Sequence, residues 1–321
     1  MKVLVVGQIH QYGINLLQAR ADLTIKITEA HNESDLVKLV ADADAILVRS
    51  APITSLVIDS APNLKVVSRH GVGFNSVDVE ALTARRIPLT IAVGGNAVSV
   101  AEHTLYLILA LAKQGQRYDT AARQGDFNFR NAPIAREIET SQLLVIGFGR
   151  IGTQVTRRAL AFGMVVHVYD PYVPDRAIQD QAAQVVRNLH DALPQMDVVS
   201  VHCPLNEKTK NLIGNHELSL MKPNALLINT ARGGIVDEAA LHDTLTQGGI
   251  AGAGIDVFVT EPTNPSLNLL ELENVVVSPH CAGITVESSA RTAWIAAQNI
   301  LDGLDSRLDE AFVVNREVLN N

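Results

Sequence analysis

A chain of 321 residues is too long for one compact core and suits two domains of roughly 100–200 residues each. Hydrophobic residues make up 47% of it and charged residues 19%, which excludes disordered and fibrous classes. Its 26 basic and 34 acidic residues leave a formal charge of −8. An acidic surface repels phosphate backbones and anionic lipid heads, so neither nucleic acid nor membrane is an expected partner.

The N-terminal MKVLVVGQIH lacks the long apolar region and small-residue cleavage site of a signal peptide and reads as a first strand. No stretch approaches the ~18–20 apolar residues of a spanning helix. Cys203 and Cys281 are the only cysteines, read as free thiols of a cytoplasmic protein. Short apolar runs follow at Val3–Val6, Ala45–Val48, Lys65–Ser68, Leu89–Ile91, Leu143–Ile146, Val165–Tyr169, Val198–Val201, Ala225–Asn229, Ala253–Val257 and Val275–Ser278. Most are continuous in hydrophobicity, as strands buried on both faces are, and many are separated by enough chain for a crossover helix. This pattern predicts an α/β protein with doubly wound parallel sheets.

Two segments predict long helices. Ser99 and Glu102 form a capping-box pattern ahead of an apolar run through Ala112. Thr285 caps a second helix, with Ala290, Trp294, Ala297 and Leu301 on one face. Between them lies a complete nucleotide-binding signature. We therefore expect a discontinuous domain, residues 1–99 plus 285–321, and an inserted domain, residues 100–284.

The signature begins with the apolar strand Leu143–Ile146, followed by Gly147, Gly149, Arg150, Ile151 and Gly152 in a Gly-x-Gly-x-x-Gly turn. A helical stretch, a second strand and Asp170 complete it. The glycines allow a tight turn, backbone approach to a diphosphate and close helix packing, while the helix N-terminus offers free N–H groups. Asp170 stands where a carboxylate accepts hydrogen bonds from both ribose hydroxyls, and it would repel a 2′-phosphate. The cofactor expected is NAD. No metal is expected.

Reduction of a 2-keto acid needs a cation for the substrate carboxylate, a proton donor for the carbonyl oxygen, and a group that favours the charged donor. Arg232, just past a buried strand, has the guanidinium fork for a carboxylate. His280 follows another apolar run and is a proton carrier near neutral pH. Glu261, 19 residues before it, lies in a loop after a further strand, where a carboxylate would stabilise an imidazolium.

Gly147–Gly152, the block from Met221 to Asp237, Gly254-Ile-Asp-Val-Phe258 with Glu261-Pro, and Pro279-His-Cys-Ala-Gly283 resemble the D-isomer-specific 2-hydroxyacid dehydrogenases. So do Val48-Arg-Ser50, Arg69-His-Gly-Val-Gly73 and Asn96 with Ser99-Val-Ala-Glu-His103. The likeness runs in order over nearly the whole chain and leans toward the phosphoglycerate dehydrogenase-like branch. It implies two flavodoxin- or Rossmann-like domains with an active-site cleft between them, usually in a homodimer. It implies Arg232, Glu261 and His280 as the catalytic trio. Asp256 matches a contact to the nicotinamide carboxamide, and Cys203, Thr230, Ala231 and Gly283 match other cofactor contacts. Arg49, Ser50, Arg69, Val72, Gly73 and Asn96 match the substrate-side loops.

The sequence departs from the family pattern in places. Ile138-Glu-Thr-Ser-Gln142 replaces a common Leu-x-Gly-Lys step and is expected to turn into the cofactor strand without loss of binding. Gly125-Asp-Phe-Asn-Phe-Arg130 stands where phosphoglycerate enzymes often have a tryptophan and a basic residue, and Arg130 reads as a displaced substitute. Nothing after Asn321 corresponds to the regulatory domain of some phosphoglycerate enzymes, so serine feedback through one is not expected. Arg49 and Arg69 suit a second anionic group on the substrate, as in 3-phosphoglycerate. Glyoxylate or hydroxypyruvate reduction is the alternative, with phosphite oxidation behind it. Formate oxidation is disfavoured, because that branch typically replaces Glu261 with glutamine. A reading of another class is an NAD-sensing corepressor that binds peptides.

Overall fold

Strands that are apolar on both faces belong in the middle of parallel sheets, and this chain builds two such sheets. The computed structural model describes residues 1–264 and 268–319. The chain divides into one unit formed by Met1–Asn96 with Ile284–Asn321 and another formed by Ala97–Gly283. Among the described residues, no helix is long and apolar enough to cross a membrane.

In the first unit, β1 (Lys2–Val6), β2 (Thr24–Thr28), β3 (Ala45–Val48), β4 (Val66–Arg69) and β5 (Leu89–Ile91) pair in parallel, in the order β2-β1-β3-β4-β5. This is the flavodoxin-like order, whose direction of winding reverses between β1 and β3. Alternate residues serve the two faces. Val3, Val5, Ala45 and Leu47 pack with Ile14, Leu17, Ala296 and Ile300 on one side. Leu4, Val6, Ile46 and Val48 pack with Leu36, Val57, Ile58 and Leu82 on the other.

Thr285 caps the helix Val286–Leu304 as expected, accepting the Ser288 N–H. The buried stripe of that helix differs from the expected one: it comprises Ser288, Thr292, Ala293, Ala296, Ala297, Asn299 and Ile300, and Trp294 is 41% exposed. Close packing explains the difference. A Cβ on Gly13 would lie 2.6 Å from the Ala293 carbonyl oxygen, so this face admits small side chains and turns an indole outward.

In the second unit, β6 (Gln142–Ile146), β7 (Val165–Tyr169), β8 (Gln184–Val185), β9 (Val198–Val201), β10 (Leu226–Asn229), β11 (Gly252–Ile255) and β12 (Val275–Val277) are all parallel. Their order, β12-β11-β10-β9-β6-β7-β8, is the dinucleotide-binding arrangement extended by one strand, reversing between β6 and β9. The helix Ala97–Ala112 covers β10 and β11 closely, since a Cβ on Gly254 would meet the Leu107 Cβ at 2.9 Å. Ser99 does not cap this helix: it lies inside, 4% exposed. Glu102, its expected capping partner, forms an ion pair with Arg158 instead (3.2 Å). Burial of Ala97, Val100 and Ala101 decides where the helix begins.

Residues 138–141 turn into β6, with the Ser141 N–H donating to the Ile138 carbonyl at 3.1 Å. Thr140 occupies this turn at φ +61°, a left-handed conformation that costs a β-branched residue roughly 1–2 kcal/mol. Thr140→Gly should therefore raise unfolding stability by about 0.5–1 kcal/mol, after the greater freedom of glycine in the unfolded chain is deducted. Urea unfolding checks this; an unchanged or lower midpoint would mean that the threonine is not strained.

Candidate active site

At the reversal point of the second sheet, β6 runs into the glycine turn and β9 into His202 and Cys203. Gly147 sits at φ +96°, and a Cβ there would meet the Cys203 N at 2.7 Å, so this turn requires glycine. A Cβ on Gly152 would lie 2.1 Å from the Gly147 carbonyl oxygen, which lets the helix Arg150–Ala161 begin against the turn. Gly149 differs, because a Cβ there would meet nothing within 4 Å. It borders open space at the N-terminus of a 12-residue helix whose cap residue supplies no side-chain hydrogen bond. Open space, backbone N–H groups and a positive helix end fit the diphosphate of a dinucleotide.

Asp170 closes this cradle. Its Oδ2 accepts the Phe148 N–H (2.8 Å) and its Oδ1 the Tyr172 N–H (2.9 Å), so the same carboxylate holds the glycine turn and retains lone pairs for ribose hydroxyls. Burial pushes the Cys203 thiol up to about 11, with the Asp170 charge adding to the rise, so the sulfur is a neutral packing group. Burial lowers the neighbouring His202 to about 3, and its neutral ring bonds Ser200 (2.8 Å). Thr230 is buried and shares a hydrogen bond with Thr104 (3.0 Å); Ala231 is buried beside it.

Three loops at the C-terminal ends of adjacent strands β10, β11 and β12 carry Arg232, Glu261 and His280. The Asn229 side chain bends the first loop, accepting the Ala231 N–H and donating to the Arg232 carbonyl. Gly233 then passes so close to the second loop that a Cβ would lie 2.0 Å from the Phe258 carbonyl carbon. Arg232 Nη1 donates to the Ala231 carbonyl (2.6 Å), and no carboxylate pairs with its guanidinium among the described residues. A half-buried cation without a counter-charge is suited to bind an anion.

Glu261 Oε1 accepts the Phe258 N–H (2.9 Å), while its Oε2 lies 2.6 Å from His280 Nδ1. An ionised carboxylate only accepts, so Nδ1 carries the proton and Nε2 is left to exchange one with another molecule. His280 is left-handed at φ +51°. Its N–H donates to the Asp256 carbonyl (2.8 Å), and Asp256 itself, 1% exposed, accepts the N–H groups of Cys281 (2.9 Å) and Ala282 (3.0 Å). Gly283 is the last residue of the second unit. Asp256 thus turns its carboxylate onto the His280 loop, a role sequence reasoning had missed because its partners come from the fold.

The remaining sequence-predicted positions lie in the first unit. Arg49 follows β3 at the reversal point and donates to the Gln8 carbonyl (3.1 Å). Arg69 ends β4 and donates to the His70 carbonyl. Burial, with Arg49 and Arg69 adding to it, lowers the His70 imidazole to about 4 and keeps it neutral. Ser50 and Val72 are exposed, and Gly73 and Asn96 half-buried. In the second unit, Arg130 lies in the 3₁₀ turn Phe127–Asn131.

The room at Gly149 is a direct test of the cradle. Gly149→Val adds a side chain that meets no protein atom near its Cβ, so thermal stability should stay within a few degrees of the parent while NADH affinity falls at least tenfold. Unchanged affinity by fluorescence titration would place the diphosphate elsewhere.

A sequence model of the D-isomer specific 2-hydroxyacid dehydrogenase, NAD binding domain, matches residues 105–282. D-3-phosphoglycerate dehydrogenase of Methanocaldococcus jannaschii is 36% identical over 316 residues, 98% of this chain and 59% of that protein. Glyoxylate reductase of Korarchaeum cryptofilum is 34% identical over 305 residues, 94% of this chain and 92% of that one. The crystal structure of a Thermus thermophilus protein is similar at a TM-score of 0.87 and 32% identity, covering 98% of this chain and 100% of that chain. The chain spans little more than half the length of the phosphoglycerate dehydrogenases it matches. With the site geometry and these likenesses in agreement, the chain belongs to the D-isomer-specific 2-hydroxyacid dehydrogenase family.

Proposed function

We propose that this protein is an NAD-dependent oxidoreductase that interconverts a D-2-hydroxy acid and its 2-keto acid. The observation that carries the reading is the His280–Glu261 pair at 2.6 Å, on strands adjacent to that of the uncompensated Arg232 and in the same unit as a dinucleotide cradle. Bound NADH supplies the hydride. Arg232 grips the substrate carboxylate with the guanidinium N–H groups that Ala231 does not take. His280 gives the proton on Nε2 to the carbonyl oxygen, and Glu261 holds the ring through Nδ1 and stabilises the charge it carries beforehand. In the oxidative direction the same nitrogen receives the hydroxyl proton. In this reading residues 100–284 form the NAD-binding domain, and residues 1–99 plus 285–321 form the substrate domain.

The substrate we favour is doubly anionic, such as 3-phosphoglycerate. Arg49 and Arg69 at the ends of β3 and β4 supply the cations, and Ser50, Val72, Gly73 and Asn96 the surrounding loops. The likeness to D-3-phosphoglycerate dehydrogenases at 36–41% identity supports this choice. Glyoxylate or hydroxypyruvate reduction is the second reading, favoured by relatives of those names that match over most of both chains. The Asp170 carboxylate supports NAD over NADP. We further read the protein as a cytoplasmic homodimer, with Cys203 and Cys281 unpaired as a reducing compartment keeps them.

One panel tests the reading: NADH oxidation followed with phosphohydroxypyruvate, hydroxypyruvate and glyoxylate. Turnover should be greatest with the phosphorylated acid. His280→Ala should lower kcat by about 10²–10⁴-fold with NADH affinity nearly intact, and Arg232→Lys should raise the keto-acid KM at least tenfold. No turnover with any keto acid, or full turnover in His280→Ala, would refute the proposal.

A further inference from the structure

His103 belongs to a motif that the proposed chemistry leaves unused. It projects from the helix Ala97–Ala112 one turn before Leu107, where Gly254 lets that helix settle onto the sheet. Its Nε2 lies 2.9 Å from Ser278 Oγ, and Ser278 Oγ lies 2.5 Å from Asp256 Oδ1. We propose that His103 and Ser278 are positioning residues for His280, forming a donor chain that ends on Asp256 and holds the loop of the acid–base histidine. The proposal rests on the assignment of His280 made above.

The direction of the chain follows from its terminus. Asp256 is buried and accepts backbone N–H groups at both oxygens, so it acts as an ionised acceptor. The Ser278 hydroxyl hydrogen is therefore spent on Oδ1, and Ser278 Oγ is left to accept from His103. Burial pushes the His103 imidazole below its ordinary value against the opposing pull of Asp256, so the ring is neutral with its single hydrogen on Nε2. His103 donates, Ser278 relays, and Asp256 receives. The other ends of Asp256 are the N–H groups of Cys281 and Ala282 on its carboxylate and of His280 on its carbonyl.

This arrangement also sets the chemistry of the cluster. His103, Asp256 and Cys281 offer potential ligand atoms within 4.8 Å of one another. A cation there would have to displace hydrogen bonds that Asp256 and His103 already make. The cluster is a latch. It holds His280 in a left-handed conformation, which persists only where the surroundings fix it.

Two variants that fill the His103 space separate donation from packing. His103→Gln keeps an N–H donor near the Nε2 position, and His103→Met does not. His103→Met and Ser278→Ala should each lower kcat by roughly tenfold to hundredfold, the cost of an ångström-scale misplacement. The KM for NADH should stay within about threefold, and His103→Gln should recover most of the loss. Parental kcat in His103→Met, or equal loss in His103→Met and His103→Gln, would overturn the proposal. A His280→Ala control that retains turnover would instead refute the functional assignment on which it rests.

Discussion

The hydrogen bond between Glu261 Oε2 and His280 Nδ1 is the constraint on which the site depends. It fixes where the imidazole keeps its proton and so which nitrogen faces the outside. Neither residue could hold this geometry alone. Glu261 is itself held by the Phe258 N–H, and His280 by its backbone bond to Asp256. The pair is half-exposed, so its strength comes from short contact and charge rather than from a dry interior.

Parallel strands turn distant sequence positions into neighbours. Arg232, Glu261 and His280 are spread over 49 residues of chain, yet β10, β11 and β12 place their loops side by side at one edge of one sheet. Glycines set the spacing. Gly233 lets the Arg232 loop pass against the Phe258 backbone, and Gly254 lets a helix reach down to the loop of His280. The dinucleotide cradle uses the reversal point of the same sheet, where Gly147 and Gly152 bring backbone together and Gly149 leaves room.

Much of this was legible in the sequence because buried parallel strands are written as unbroken apolar runs. β3, β9, β10 and β11 are buried at every residue. The strands that no unbroken apolar run marks lie at sheet edges: Thr24–Thr28 is mostly exposed and alternates with polar residues, and Gln184–Val185 is two residues long. Ser99 misled because a capping pattern is a local signal, whereas the helix start was settled by burial of Ala97, Val100 and Ala101. Trp294 misled because its helix packs through small residues against Gly13. The positions of Arg232, Glu261 and His280 just past apolar strands were legible. The hydrogen bonds that Asp256 makes were not, since its partners lie 22 to 26 residues away and meet it only in the fold.

The chemistry of the site turns on one proton, the one on His280 Nδ1. Nitrogen-15 NMR of histidine-labelled protein with NADH bound, above the pH at which the imidazolium is lost, reads it directly. The His280 ring should be neutral and protonated at Nδ1, with a bare Nε2 whose resonance moves when a keto-acid analogue binds. A ring protonated at Nε2 with Nδ1 bare, and no change of that resonance in Glu261→Gln, would contradict it.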